Sequence, residues 1–201
     1  MAITATDLDV TIVCAVDAKV KKPGTSTVPV KKLFGIVREL SNAELDMEVD
    51  EKNYCTIRSG SSFYRINGLA AEEFPPIPTF QENKTVVLPQ ETLKSMMKKT
   101  SFAMSADEAR YVLNGIYLSL KEHKVTMVAT DGRRLAMVDE EVDVPENSHG
   151  EFIIPSKTVS ELNRLIQDKG EAEIRYTGNQ AAFRLKDEKG SGALIISKLV
   201  D

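Results

Sequence analysis

A long internal repeat limits the fold of this chain more than any other feature. Ala5-Thr6-Asp7 returns as Ala129-Thr130-Asp131, each time after apolar or β-branched residues. The segment VPVKKLFGIVREL at 28–40 is answered by IPSKTVSELNRLI at 154–166. In both, a proline is followed two residues on by lysine (Lys31, Lys157), nine on by arginine (Arg38, Arg164) and eleven on by an aliphatic residue (Leu40, Ile166). A third pair of runs, FYRINGL at 63–69 and LIISKLV at 194–200, keeps the order. A period of about 125 residues is far too long for a solenoid and fits a duplicated domain. The 201 residues therefore hold roughly 1.6 units, and each unit must bury its own core.

Within a unit the pattern alternates between strand and helix signals. ITATDLDVTIVCAV and KVTMVATDGRRLAMVDEEV alternate apolar with polar residues, as half-buried strands do. LDMEVDEKNYCTIRSGSSFYRI and AEIRYTGNQAAFRLKDEKGSGALIISKLV hold short alternating runs broken by Gly, Asn, Asp and Ser, which predicts hairpins. The two Pro-x-Lys segments predict short amphipathic helices opened by proline. A third helix is predicted in VVLPQETLKSMMKKTSF, where Leu93, Met96, Met97 and the flanking Phe102 follow helical spacing and Pro89 opens the first turn. The first repeat has no counterpart to it. These elements define an α+β class of duplicated units, antiparallel sheets with a pair of helices each.

Several function classes are excluded. Two histidines, His123 and His149, lie in polar turn-like contexts and offer no general base for a Ser/His or Cys/His enzyme. Neither a Walker A run nor GxGxxG occurs. Asp7, Asp9 and Asp131 lack the clustered carboxylates and His or Lys partners of a metal-dependent nuclease. Cys14 and Cys55 sit inside apolar runs, outside any zinc-ligand spacing, and read as buried thiols. No cofactor or metal is expected, and the chain is not expected to be an enzyme. The start MAITATDLDV lacks a signal-peptide pattern and no long apolar span follows, which predicts a cytoplasmic protein without a membrane partner.

The net charge of −4 argues against a generally basic nucleic-acid binder. A local basic face is nevertheless present. Lys31 with Arg38, and Lys157 with Arg164, are seven residues apart, which at about 3.6 residues per turn returns both cations to one helix face. Lys32 stands beside the first pair, and Lys94, Lys98 and Lys99 give the third helix a weaker version. Aligned cations of this kind contact phosphates without reading bases. With 6% aromatic residues and no Trp, a base-stacking platform for single strands fits less well.

The ordered segments RYVLNGIYL at 110–118, VATDGRRLAMV at 128–138, FIIPSKTVSEL at 152–162 and SKLVD at 197–201 closely resemble the central domain of the bacterial DNA polymerase III beta subunit family, the sliding clamps. ATDLDVTI, VPVKKLFGIVREL, IRSG and AAEEFP are similar to the later part of that family's first domain. The resemblance divides the chain into 1–80, the C-terminal portion of clamp domain 1, and 81–201, clamp domain 2 with its last segment cut, and leaves out domain 3. It implies a DNA-clamp fold and a head-to-tail ring of two subunits around duplex DNA. Lys31, Lys32, Arg38, Lys157 and Arg164 would then face the channel, and no sequence specificity would be expected.

The family also has a hydrophobic cleft that takes short linear peptides from DNA polymerase III alpha subunit, the clamp loader and repair polymerases. Matched position by position, Leu113, Thr130, Gly132, Arg134 and Leu135 fall in that cleft, with Arg110 at its edge. Arg133 stands where the family often has His, and Asp107 and Val112 replace positions that are commonly polar or aromatic. The homodimer ring belongs to the three-domain protein, and the 201-residue chain is expected not to close one. The alternative is a peptide-docking module that occupies clamp partners without encircling DNA.

Overall fold

The computed structural model describes residues 1–41, 44–79, 84–188 and 192–200. In chain order the elements are β1 (Ala2–Thr6), β2 (Val10–Ala15), α1 (Val30–Glu39), β3 (Asp46–Val49), β4 (Tyr54–Ser59) and β5 (Ser62–Asn67). Then follow β6 (Thr85–Pro89), α2 (Gln90–Thr100), β7 (Gly115–Lys121), β8 (Lys124–Thr130), β9 (Leu135–Glu141) and β10 (Gly150–Pro155). The chain closes with α3 (Ser156–Leu165), β11 (Glu171–Tyr176), β12 (Gln180–Lys186) and β13 (Gly192–Lys198).

The repeat is visible as architecture. In each copy a helix introduced by proline leads into three antiparallel strands, α1 into β3-β4-β5 and α3 into β11-β12-β13. Pro29 and Pro155 both sit at the N-cap, in extended conformation, where the missing N–H of proline costs no intrahelical bond. The Ala-Thr-Asp tripeptides end β1 and β8, and each opens the turn to the next strand.

Residues 18–76 form one compact unit. Its core is Cys55, Ile57 and Ile66, on which Val28, Leu33 and Ile36 pack half-buried. The 1–17 hairpin and residues 77–201 form the other. There β2 pairs along β13, which extends the sheet to the order β1-β2-β13-β12-β11-β6. A second sheet, β10-β7-β8-β9, lines the same core. Helix α2 buries Leu93, Met96, Met97 and Thr100, and α3 buries Thr158, Val159 and Leu162, which leaves their polar faces outward. Each fully buried Leu or Met there is worth about 1.5–3 kcal/mol of transfer free energy.

Two expectations need correction. Phe102 does not join the buried face of α2: the chain leaves the α-helix at Thr100, and the 3₁₀ turn 101–103 turns the ring outward, 58% exposed. Cys55 is fully buried, but Cys14 is half-buried on β2, close to the outer end of its strand.

Candidate functional site

The turn between β8 and β9 is built by two side chains. Thr130 Oγ1 donates to the Arg134 carbonyl (2.7 Å) and accepts from the Gly132 N–H (3.1 Å). Asp131 Oδ1 accepts from the N–H groups of Arg133 (2.9 Å) and Arg134 (3.0 Å), and its Oδ2 takes the Arg134 Nε at 3.1 Å. The Arg133 and Arg134 N–H donors, with the Arg134 guanidinium beside them, hold the Asp131 carboxyl below its ordinary range. Gly132 adopts φ +86°, a left-handed conformation that a Cβ would strain.

Around this turn the structure gathers part of the expected cleft set. Arg110 reaches over to donate from Nη1 to the Asp131 carbonyl (3.4 Å). The Arg134 guanidinium lies 5.7 Å from the centre of the Phe102 ring, within cation–π range. Leu135 pairs across the ladder with Thr130 and is 64% exposed, and Met137, two residues on along the same strand face, is 59% exposed. Leu113 is half-buried and closes a turn onto the Arg110 carbonyl (2.8 Å). Arg133 is exposed and contributes its N–H to Asp131.

Asn114, inside the RYVLNG motif, anchors the 105–114 loop. Its Nδ2 donates to the Ser105 carbonyl (2.6 Å), and its Oδ1 accepts from Ser156 Oγ at the start of α3 (2.5 Å). Asp107 pairs with Arg110 at 3.7 Å and accepts the Ala109 N–H, so its negative charge is committed within the loop.

Sequence reasoning missed Phe102, Tyr111, Val112 and Met137 as exposed apolar surface next to these residues. A signal was present for one of them. In LAMVDEE, apolar residues stand at consecutive positions from Leu135 to Val138, where a half-buried strand should alternate. The solvent-facing member of each pair is surplus to the core and available to a partner.

The cations expected to meet DNA divide into two groups. Among the described residues, Lys31 and Lys32 on α1 and Lys98 on α2 make no ion pair. Arg38 contacts Glu39 (3.1 Å), Arg164 contacts Glu161 (2.6 Å), and Lys157 contacts Asp7 (2.5 Å). Lys94 and Lys99 are paired with Asp168 (2.6 Å) and Glu140 (3.5 Å). Among the described residues no group of three or more His, Cys, Asp or Glu side chains could hold a metal ion, and no helix is long and apolar enough to cross a membrane. His123 is exposed and lies 3.3 Å from Asp143.

Comparison with known proteins places the chain in a family. Residues 87–201 match the family model described as DNA polymerase III beta subunit, central domain, and residues 1–78 match the N-terminal domain of the same subunit. The beta sliding clamp of Chlamydia pneumoniae is 38% identical over 200 residues, covering 100% of this chain and 53% of that protein. A crystal structure of the sliding clamp from Bartonella birtlesii bound to griselimycin is 34% identical with a TM-score of 0.90, covering 100% of this chain and 54% of that one. The clamp from Pseudomonas aeruginosa, also bound to griselimycin, is 32% identical with a TM-score of 0.90, covering 100% and 53%. The chain thus spans about half the length of the relatives it matches. With the central-domain match alone taking in more than half its residues, the chain belongs to the DNA polymerase III beta subunit family, the sliding clamps.

Proposed function

We propose that the chain is a DNA polymerase processivity factor, the first and central parts of a sliding clamp. In this reading the clamp encircles duplex DNA, and α1 and α3 offer cations to the phosphates. The central domain tethers DNA polymerase III alpha subunit, the clamp loader and repair polymerases through short linear peptides. Residues 1–80 and 81–201 are the corresponding pieces of domains 1 and 2, the assembled ring is a homodimer, and the protein works in the cytoplasm by binding rather than catalysis. The observation that carries the reading is the exposed apolar face of Leu135 and Met137 beside the Thr130–Arg134 turn. Leu113 and Leu135 supply apolar wall, Gly132 permits close backbone approach, and Arg134 and Arg110 offer donors to a peptide carbonyl or carboxylate.

The test is fluorescence anisotropy with a labelled peptide from the polymerase tail. Leu113→Ala combined with Leu135→Ala is expected to abolish binding while leaving the thermal unfolding profile cooperative. Unchanged affinity in that double variant removes the cleft assignment.

A second reading, a peptide-docking module that does not hold DNA, is favoured by one observation: three of the five channel cations are already matched by carboxylates. Sedimentation and retention on circular against linear duplex DNA separate the two. Duplex binding by the 201-residue chain, with retention of the three-domain ring on circles, supports the clamp, and a chain that binds peptide but not duplex DNA supports the module.

A further inference from the structure

We propose that Asp7 sets how strongly α3 grips duplex DNA, by holding the Lys157 ammonium in an ion pair that a phosphate must displace. The inference rests on the reading of α3 as a phosphate-facing helix.

The geometry is specific. Asp7 Oδ1 is occupied by the backbone, accepting from the N–H groups of Asp9 (3.1 Å) and Val10 (3.0 Å) in the β1–β2 turn. That fixes the carboxylate and presents Oδ2 to Lys157 Nζ at 2.5 Å. Asp131, its counterpart in the second repeat, divides its oxygens the same way but spends Oδ2 on Arg134 of its own turn. The first copy has no arginine at that place, since Val10 stands there, and its spare oxygen reaches a helix lysine 150 positions along the chain.

The Lys157 ammonium is held above its ordinary range, chiefly by Asp7, with Asp9 and Glu108 adding to the negative surroundings. Asp9 is itself paired with Lys198 at 3.2 Å. Both members of the Asp7–Lys157 pair are about half exposed. Such pairs are weak and readily exchanged, because water and salt screen them. A phosphate approaching α3 therefore finds a cation it can take over, at a cost, whereas Lys31 and Lys32 have no ion-pair partner among the described residues. In a protein that must slide, a cation already matched by a carboxylate lowers the grip without removing the contact.

The experiment measures anisotropy of a labelled 30-base-pair duplex at low salt with the 201-residue chain. Four proteins form a cycle: wild type, Asp7→Asn, Lys157→Ala and the double variant. Asparagine keeps the Oδ1 acceptor and so preserves the turn. Asp7→Asn is expected to raise affinity about 2- to 5-fold, and at least twice as much with Lys157 present as in the Lys157→Ala background. A ratio of gains below two, or no gain, overturns the inference, because the carboxylate would then act as a general repulsive charge or not at all. Lys31→Ala with Lys32→Ala, measured alongside, tests the underlying reading. A loss of about 10-fold upholds phosphate contact by these helices, while unchanged affinity, or no measurable binding by wild type, removes that reading and the inference with it.

Discussion

Leu8 and Gly132 occupy the same position of one repeated turn, at φ +79° and +86°. Thr6 Oγ1 accepts the Leu8 N–H (3.1 Å) and donates to the Val10 carbonyl (3.2 Å), just as Thr130 serves Gly132 and Arg134. Asp7 and Asp131 each take the N–H groups two and three residues on. Duplication has preserved a side-chain scaffold of Thr and Asp while the residue at the left-handed position has diverged. In the second copy it is glycine, beside exposed Leu135; in the first it is a 65% exposed leucine.

The divergence has measurable energetic consequences. A side chain with a Cβ costs about 1–2 kcal/mol in the left-handed region, and asparagine tolerates it better than leucine. Leu8→Asn is therefore expected to stabilise the chain by about 0.5 kcal/mol, since little apolar burial is lost. Gly132→Ala is expected to destabilise it by about 1 kcal/mol. The latter loss is conformational rather than steric, because an added Cβ would meet nothing nearer than Arg110 Nη1 at 3.7 Å. Urea midpoints for the two variants should move in opposite directions; a shift of the same sign in both would disprove the shared-turn account.

Gly115 answers to a different constraint. A Cβ there would stand 2.5 Å from the Ile154 carbonyl oxygen and 2.9 Å from Ile153 Cγ2. That carbonyl belongs to β10, which is locked to β7 by the antiparallel ladder. Gly115→Ala must push the strands apart and should cost about 1–3 kcal/mol, a fall in Tm of roughly 3–10 °C for a chain of this size. Gly24, with nothing within 4 Å of its added Cβ, is the control, and Gly24→Ala should leave Tm nearly unchanged.

The repeat, the strand alternation and the proline-opened helices were legible in the sequence because each is written in side chains a few residues apart. Met96 and Met97 show it: their spacing with Leu93 predicts one helical face, and all three are fully buried. The pairing of β2 with β13 was not legible. Val10 stands opposite Ser197 in that ladder, which is held by backbone hydrogen bonds, and every non-proline residue carries the same backbone donor and acceptor. The exposed apolar face beside the Thr130–Arg134 turn was half legible, since the Thr-Asp-Gly turn announces itself through local side-chain bonds. Phe102 was lost because helical spacing continues past Thr100 while the helix does not. The Asp7–Lys157 pair was hidden for the same reason as the long-range strand pairing: charges alone carry no record of distant partners.

Phe102 offers a test of the cleft that leaves the core untouched. Its ring backs the Arg134 guanidinium at 5.7 Å and is largely exposed. Phe102→Ala should change stability by no more than about 0.5 kcal/mol, as surface substitutions do. It should weaken binding of a polymerase tail peptide several-fold, because Arg134 loses the surface that orients it. Chemical denaturation and peptide titration on the same preparation give both numbers. A large loss of stability with peptide binding intact would place Phe102 in the fold rather than the cleft.

The Asp7–Lys157 pair also predicts a pH dependence with a definite sign. The Lys157 ammonium, opposed by partial burial and aided by the Val10 and Asp9 N–H groups, holds the Asp7 carboxyl below its ordinary value of 3.8. A group whose folded-state pKa is depressed stabilises the fold above its unfolded value, and that stabilisation is lost as pH falls through the folded value. Lys157 is shifted the other way, above 10.5, so its share is complete below that value and is lost as pH rises beyond it. Between about pH 5 and pH 9 the pair is therefore intact. Asp7→Asn removes the pair at every pH. The Tm difference between wild type and Asp7→Asn should be largest across that plateau and shrink once pH falls below 3.8 and through the depressed folded-state value, where wild type loses the same charge. Thermal unfolding at pH 7 and at steps below pH 3.8 decides it: because asparagine keeps the Oδ1 acceptor of the turn, a difference that does not shrink with falling pH would mean that the effect of Asp7→Asn does not come from the carboxylate charge facing Lys157.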